Sequence, residues 1–186
     1  MNTNRIAVAQ AMALALALAM PGCSGGELGS VPTFIALQSD FAPYRSWTRV
    51  ALGDAPLEGH PPGPRFGFVK DKAPRGAAQY PLGSIIVKSV EAGAQAEWEL
   101  FGMVKRGGKF NTSGATDWEF FLLRLSDDGT PVVVARGQRP MEPGDGAILS
   151  GYGAIAGVVG CNLCHGNGAS AKTDHILSPL LAPGVL

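Results

Sequence analysis

Five short runs rich in β-branched and aromatic residues limit this fold most: residues 65–70 (RFGFVK), 84–90 (SIIVKSV), 97–105 (EWELFGMVK), 118–125 (WEFFLLRL) and 131–135 (PVVVA). Turn signals separate them, among them Tyr80-Pro81-Leu82-Gly83, Arg106-Gly107-Gly108 and Asp127-Asp128-Gly129. Runs of this length and composition pair as strands, and the Asp-Asp-Gly step predicts a tight hairpin between the last two. With 26 Gly and 14 Pro in 186 residues, a long helical bundle is excluded. The predicted fold is mainly β (α+β): an antiparallel sheet with a few short helices. Pro43 predicts a short helix over residues 43–50, with Tyr44, Trp47 and Val50 at three-residue spacing. Residues 51–64 read as a loop, and residues 147–160 as a helix interrupted by Gly and Ser.

Composition narrows the function classes. Apolar residues make up 46% of the chain, too many for a disordered protein. Lys and Arg number 15 against 15 Asp and Glu, so there is no basic excess of the kind a nucleic-acid-binding domain carries. Three cysteines are too few for a disulfide scaffold.

Residues 1–23 read as an export signal. Arg5 precedes an apolar run over residues 6–20, shorter than the roughly 20 residues a membrane span requires. The run ends in Met20-Pro21-Gly22-Cys23, which resembles a lipoprotein cleavage box and makes Cys23 a candidate lipidation site and membrane anchor; ordinary cleavage nearby is the alternative. Residues 24–40 are then a tether and residues 41–186 the functional domain, outside the cytoplasm in the periplasm.

Cys161-Asn162-Leu163-Cys164-His165 is a C-x-x-C-H motif, the attachment signature of c-type haem. Two thiols at this spacing match the two haem vinyl groups, and the adjacent His165 ligates the iron. A redox dithiol and a zinc site built from Cys161, Cys164 and His165 or His175 are the competing readings. For a sixth iron ligand the chain offers Met103, Met141, His60 and His175. The motif lies near the C-terminus of a β-rich chain, the reverse of a small helical electron-transfer cytochrome.

The order of pieces resembles the cytochrome P-460 and cytochrome c′-beta family. They are Tyr44-Arg45-x-Trp47, a loop with His60, the run from Phe66 to Asp71, Tyr80-Pro81-x-Gly83 followed by Ser84 to Lys88, Met103-Val104-Lys105, Asp117-Trp118-Glu119-Phe120, Cys161–His165 and Ala171-Lys172-Thr173-Asp174. The resemblance implies a β-sheet homodimer with one five-coordinate haem c, proximal His165 and an open distal side for small nitrogen ligands. In the P-460 branch a lysine, here Lys88, is cross-linked to the porphyrin, and hydroxylamine (or nitric oxide) is oxidised with another cytochrome accepting the electrons. In the c′-beta branch nitric oxide binds under an aromatic cap. Plain electron transfer ranks third.

Lys88 lies within an apolar run, where a lysine either reaches solvent or is desolvated and made nucleophilic. Alternation places Glu97, Glu99, Phe101 and Met103 on one strand face, while a one-residue slip would put Trp98 and Leu100 there instead. The distal pocket is assigned to Phe101, Glu99 and Met103, with Phe66 or Phe68 as a second wall. Where the oxidising branch carries a carboxylate over the iron, Phe101 stands here. Arg45, Arg65 and Arg124 are the candidates for pairing a haem propionate. Trp47, Trp98 and Trp118 read as core or haem-edge packing, and His60 and His175 as loop histidines.

Overall fold

In a computed structural model that describes residues 31–55, 62–137, 160–168 and 170–186, six strands form one antiparallel sheet in sequence order. They are β1 (Thr48–Gly53), β2 (Arg65–Val69), β3 (Ile85–Val90), β4 (Glu99–Lys105), β5 (Trp118–Leu125) and β6 (Pro131–Gly137). The last five follow the runs read from the sequence to within two residues at each end. The Asp127-Asp128-Gly129 turn closes as predicted: the Ser126 amide donates to the Thr130 carbonyl, Asp128 accepts from the Thr130 amide at 2.9 Å, and Gly129 takes φ 80°.

The first strand corrects the helix predicted over residues 43–50 and takes residues 51–53 from the predicted loop; residues 54–55 and 62–64 are loop as read, and residues 56–61 lie outside the described residues. Only Tyr44–Ser46 make a helical turn, and β1 follows. β2 offers a free edge, and pairing Thr48 to Val69 and Val50 to Gly67 lets Val50 pack under the C-terminal segment. A helix there would leave that edge bare.

Apolar side chains cover both faces of the sheet. On the first face Phe68, Ile85, Val87, Leu100, Val104, Phe121 and Leu123 pack against Ala36, Phe41 and Tyr44. Residues 31–40 of the tether predicted over residues 24–40 are thereby part of the compact unit Val31–Leu186. Thr33 pairs with Gly107, the Phe34 amide donates to the Arg106 carbonyl at 2.8 Å, and Arg136 donates to the Ala36 carbonyl at 2.9 Å. A short helix α1 (Gln38–Phe41) then seats Phe41 against Phe121 at 4.9 Å between ring centres. The apolar Phe34, Ala36 and Phe41 draw the segment in. The export signal, Cys23 and residues 24–30 lie outside the described residues. Among those described, no helix is long and apolar enough to cross a membrane.

On the second face Val69, Ile86, Trp118 and Phe120 pack against Ile176 and Leu181 of the C-terminal segment, with Met103 and Cys161 at the margin. A buried ion pair fastens that segment: Lys105 Nζ donates to Asp174 Oδ1 at 2.5 Å, and the Tyr80 amide donates to Asp174 Oδ2 at 2.9 Å. The Tyr80 hydroxyl donates to the Leu181 carbonyl at 2.8 Å. Leu181 seats on Gly67: a Cβ there would stand 2.7 Å from Leu181 Cδ1, and the leucine side chain would have to shift. Gly67→Leu is expected to cost about 1–3 kcal/mol by overpacking. Urea unfolding of the two proteins measures it, and an unchanged midpoint would mean Leu181 does not seat there.

Candidate functional site

Cross-strand register sorts the site residues by face, since directly paired residues point the same way. Gly67, Lys88, Phe101 and Leu122 form one row across β2 to β5. Val69, Ile86, Met103 and Phe120 form the next row toward one end of the sheet; Arg65, Val90 and Glu99 form the next toward the other. All three rows lie on the second face. Glu99, Phe101 and Met103 therefore share a face as the alternation predicts, and the register adds Lys88 to it. The one-residue slip does not occur: Trp98 and Leu100 pack on the first face, and Glu97 lies in a helical turn before β4.

Phe66 and Phe68 are corrected. They pair with Ser89 and Val87, so they alternate away from Lys88 onto the first face. Phe68 meets Tyr44 edge-on at 5.0 Å, and Arg49 stacks on Phe66 at 3.5 Å. Phe101 is the aromatic residue paired with Lys88, with Leu122 beyond it in the same row and Phe120 in the next row on that face. The last two were missed because β5 is apolar on both faces, so its alternation is not visible in sequence.

The motif forms a short helix, α2 (Cys161–His165), held by its second residue. Asn162 and Asn111 exchange amide hydrogen bonds at 2.7 and 2.8 Å, and the Ala115 amide donates to Asn162 Oδ1 at 2.8 Å. His165 lies 5.5 Å from Phe120 between ring centres. Its Nδ1 meets the His175 carbonyl at 2.8 Å. A carbonyl only accepts, so Nδ1 carries the proton and the lone pair of the ring is on Nε2. Burial pulls His165 down to about 4, with the Lys88 charge adding to that and the His175 carbonyl opposing it. The ring is thus neutral at pH 7.

Lys88 belongs to the same cluster. Burial first, then the Arg65 charge, pushes its amine down to about 7, against the opposing pull of Cys161 and Glu99. Its Nζ stands 4.9 Å from the centre of the Phe101 ring. Burial pushes the Cys161 thiol up to about 11, with Lys88 opposing. A redox dithiol needs the contrary, a thiol lowered toward neutral pH. Among the described residues no three of His, Cys, Asp and Glu are grouped to hold a metal ion, so the zinc reading has no assembled ligand set there.

Arg65 is 6% exposed; it donates through Nη2 to the Ala55 carbonyl, and its Nη1 is buried with no hydrogen-bond partner among the described residues. Of the three candidate propionate partners it is the one beside Lys88. Arg45 donates to the Tyr44 hydroxyl at 3.0 Å and stacks on Trp98, toward the first face, and Arg124 is exposed near the end of β5. His175, read as a loop histidine, is buried at 8% exposure with both ring nitrogens engaged. His60, Met141 and residues 147–159 of the helix predicted over residues 147–160 lie outside the described residues, and Gly160 is extended backbone before α2. A cavity of about 390 Å³ bounded by Thr33 and residues 106–113 is polar and contains none of the predicted site residues.

No family model matches this chain, and neither does any curated protein or solved structure.

Proposed function

We propose that this chain is a periplasmic mono-haem c-type protein that oxidises hydroxylamine at a lysine-linked haem and passes the electrons to another cytochrome. In this reading Cys161 and Cys164 hold the haem by thioether bonds, His165 ligates its iron through Nε2, and Lys88 bonds to the porphyrin. A bound haem supplies an iron with one open position for a small nitrogen ligand.

The observation that carries the reading is the proximity of Lys88 to the motif: its charge acts on both Cys161 and His165, which are far from it in sequence. A desolvated amine with a pKa of about 7 is about half unprotonated at neutral pH, and that fraction is nucleophilic. The buried, unpartnered Nη1 of Arg65 suits a carboxylate such as a propionate. Glu99, on the same face, is the carboxylate available as the base that takes a proton from substrate.

A second reading, reversible nitric oxide binding, is favoured by the apolar Phe101, Leu122 and Met103 on the face of the sheet that carries Lys88. Electron transfer would need Met103, Met141 or His60 as the sixth ligand, since both ring nitrogens of His175 are engaged. A homodimer and a lipid anchor at Cys23 belong to the same proposal.

The test is the ferrous absorption spectrum of the protein matured with c-type haem, paired with proteolysis and mass spectrometry. A strongly red-shifted Soret band and haem retained on a Lys88-containing peptide support hydroxylamine oxidation. An ordinary high-spin spectrum without that link moves the assignment to nitric oxide binding. A six-coordinate low-spin spectrum sinks both.

A further inference from the structure

We propose that His175 is the residue that positions His165, through crossed hydrogen bonds between the two; the inference rests on the haem reading above. His165 Nδ1 donates to the His175 carbonyl at 2.8 Å, and His175 Nδ1 donates back to the His165 carbonyl at 2.7 Å. The proton positions follow from the partners. The Thr116 amide, which can only donate, meets His175 Nε2 at 3.2 Å. That nitrogen therefore accepts, and Nδ1 carries the proton that the His165 carbonyl needs. The Ser170 hydroxyl donates to the same carbonyl at 2.5 Å, and the His175 amide donates to the Ser170 carbonyl at 2.7 Å.

The backbone is bent to make this arrangement. Asp174 and His175 take φ 51° and 65°, two consecutive left-handed residues that are not glycine. Such conformations persist where the surroundings enforce them. Here Asp174 is held by Lys105 and by the Tyr80 amide, and the His175 ring by Thr116. The turn points the residue 175 carbonyl at the His165 ring, while the 175 side chain closes the loop back onto the end of α2. Thr116 lies in the loop that also grips α2 through Asn111.

A hydrogen bond to the far nitrogen of a ligating imidazole raises its basicity and fixes its rotation. His175 thus acts through His165, on the strength and direction of its bond to the iron. The His175 ring, tied to the His165 carbonyl and to the Thr116 amide, holds the residue 175 carbonyl against His165 Nδ1; without the ring that carbonyl is less firmly placed and His165 is a weaker donor, which favours ferrous over ferric iron.

Two variants separate the side chain from the backbone. His175→Gly keeps the left-handed turn and removes the ring, whereas His175→Asn tolerates the turn and keeps a donor near the Nδ1 position. Both are made in the full chain matured with haem, with the iron–histidine stretch and the midpoint potential as readouts. His175→Gly is expected to lower the stretch and raise the potential, changing the ferric-to-ferrous ratio at a fixed potential on the order of tenfold. His175→Asn is expected to restore both toward the native values. Native stretch and potential in haem-bearing His175→Gly protein would overturn the inference, as would equal shifts in both variants.

Nitrogen-15 histidine spectra of the native protein test it without substitution. The Nδ1–H tautomer of His175 supports it, and an Nε2–H tautomer overturns it. Native protein that carries no covalent haem would instead sink the functional reading, a separate outcome.

Discussion

Lys105→Met is expected to cost about 3–5 kcal/mol of folding stability, the loss typical when one partner of a buried ion pair is removed. Lys105 and Asp174 are 8% and 2% exposed at the side chain, so water does not reach the carboxylate left behind. The Tyr80 amide still bonds Asp174 Oδ2, but a single neutral donor does not offset a buried charge. Urea unfolding at constant slope measures the loss. Asp174→Leu combined with Lys105→Met should recover part of it, because the double variant buries no charge. A loss below about 1 kcal/mol would show that the pair behaves as a surface bridge. The effect should also reach the site, since Asp174 enforces the turn that presents the His175 carbonyl. Lys105→Met protein that retains haem should therefore show the same positive shift in potential as His175→Gly.

Lys88→Met is expected to abolish hydroxylamine oxidation while leaving the thioether-bound haem in place. The peptide carrying residue 88 should lose its haem link, and the peptide carrying Cys161 and Cys164 should keep it. Retained turnover would remove the lysine from the reaction. The same substitution tests the cost of burying the amine. In the haem-free native chain Lys88 titrates near 7, below the 10.5 of an ordinary lysine. Between those values the unfolded chain binds more protons, so the cost of burying Lys88 is relieved as pH rises across that window. Below pH 7 both states are protonated and the cost is complete. Lys88→Met is accordingly expected to stabilise the haem-free chain at pH 6 on the order of 1–3 kcal/mol, with the gain shrinking toward pH 10.5. Urea midpoints of the two proteins across this range measure it, and a pH-independent difference would show that the amine is solvated.

The sequence by itself determined five of the six strands, the hairpin at Asp127-Asp128-Gly129, and the shared face of Glu99, Phe101 and Met103. These follow from local chemistry: β-branched and aromatic runs, turn residues that accept a left-handed φ, and a side-chain period of two. That period says which residues share a face but not which face the C-terminal segment will cover. Phe66 and Phe68 were misplaced for that reason. They alternate correctly along β2, but the side of the sheet receiving α2 was decided by Leu181 seating on Gly67 and Asp174 pairing with Lys105. The first strand was lost because Pro43 and the spacing of Tyr44, Trp47 and Val50 imitate a helix, whereas the open edge of β2 demanded a strand. The apolar run around Lys88 left solvent and desolvation both open, and the crossed bonds of His165 and His175 have no sequence signature. The desolvation and the crossed bonds exist only once the C-terminal segment is closed onto the sheet, which excludes water and brings distant groups into register.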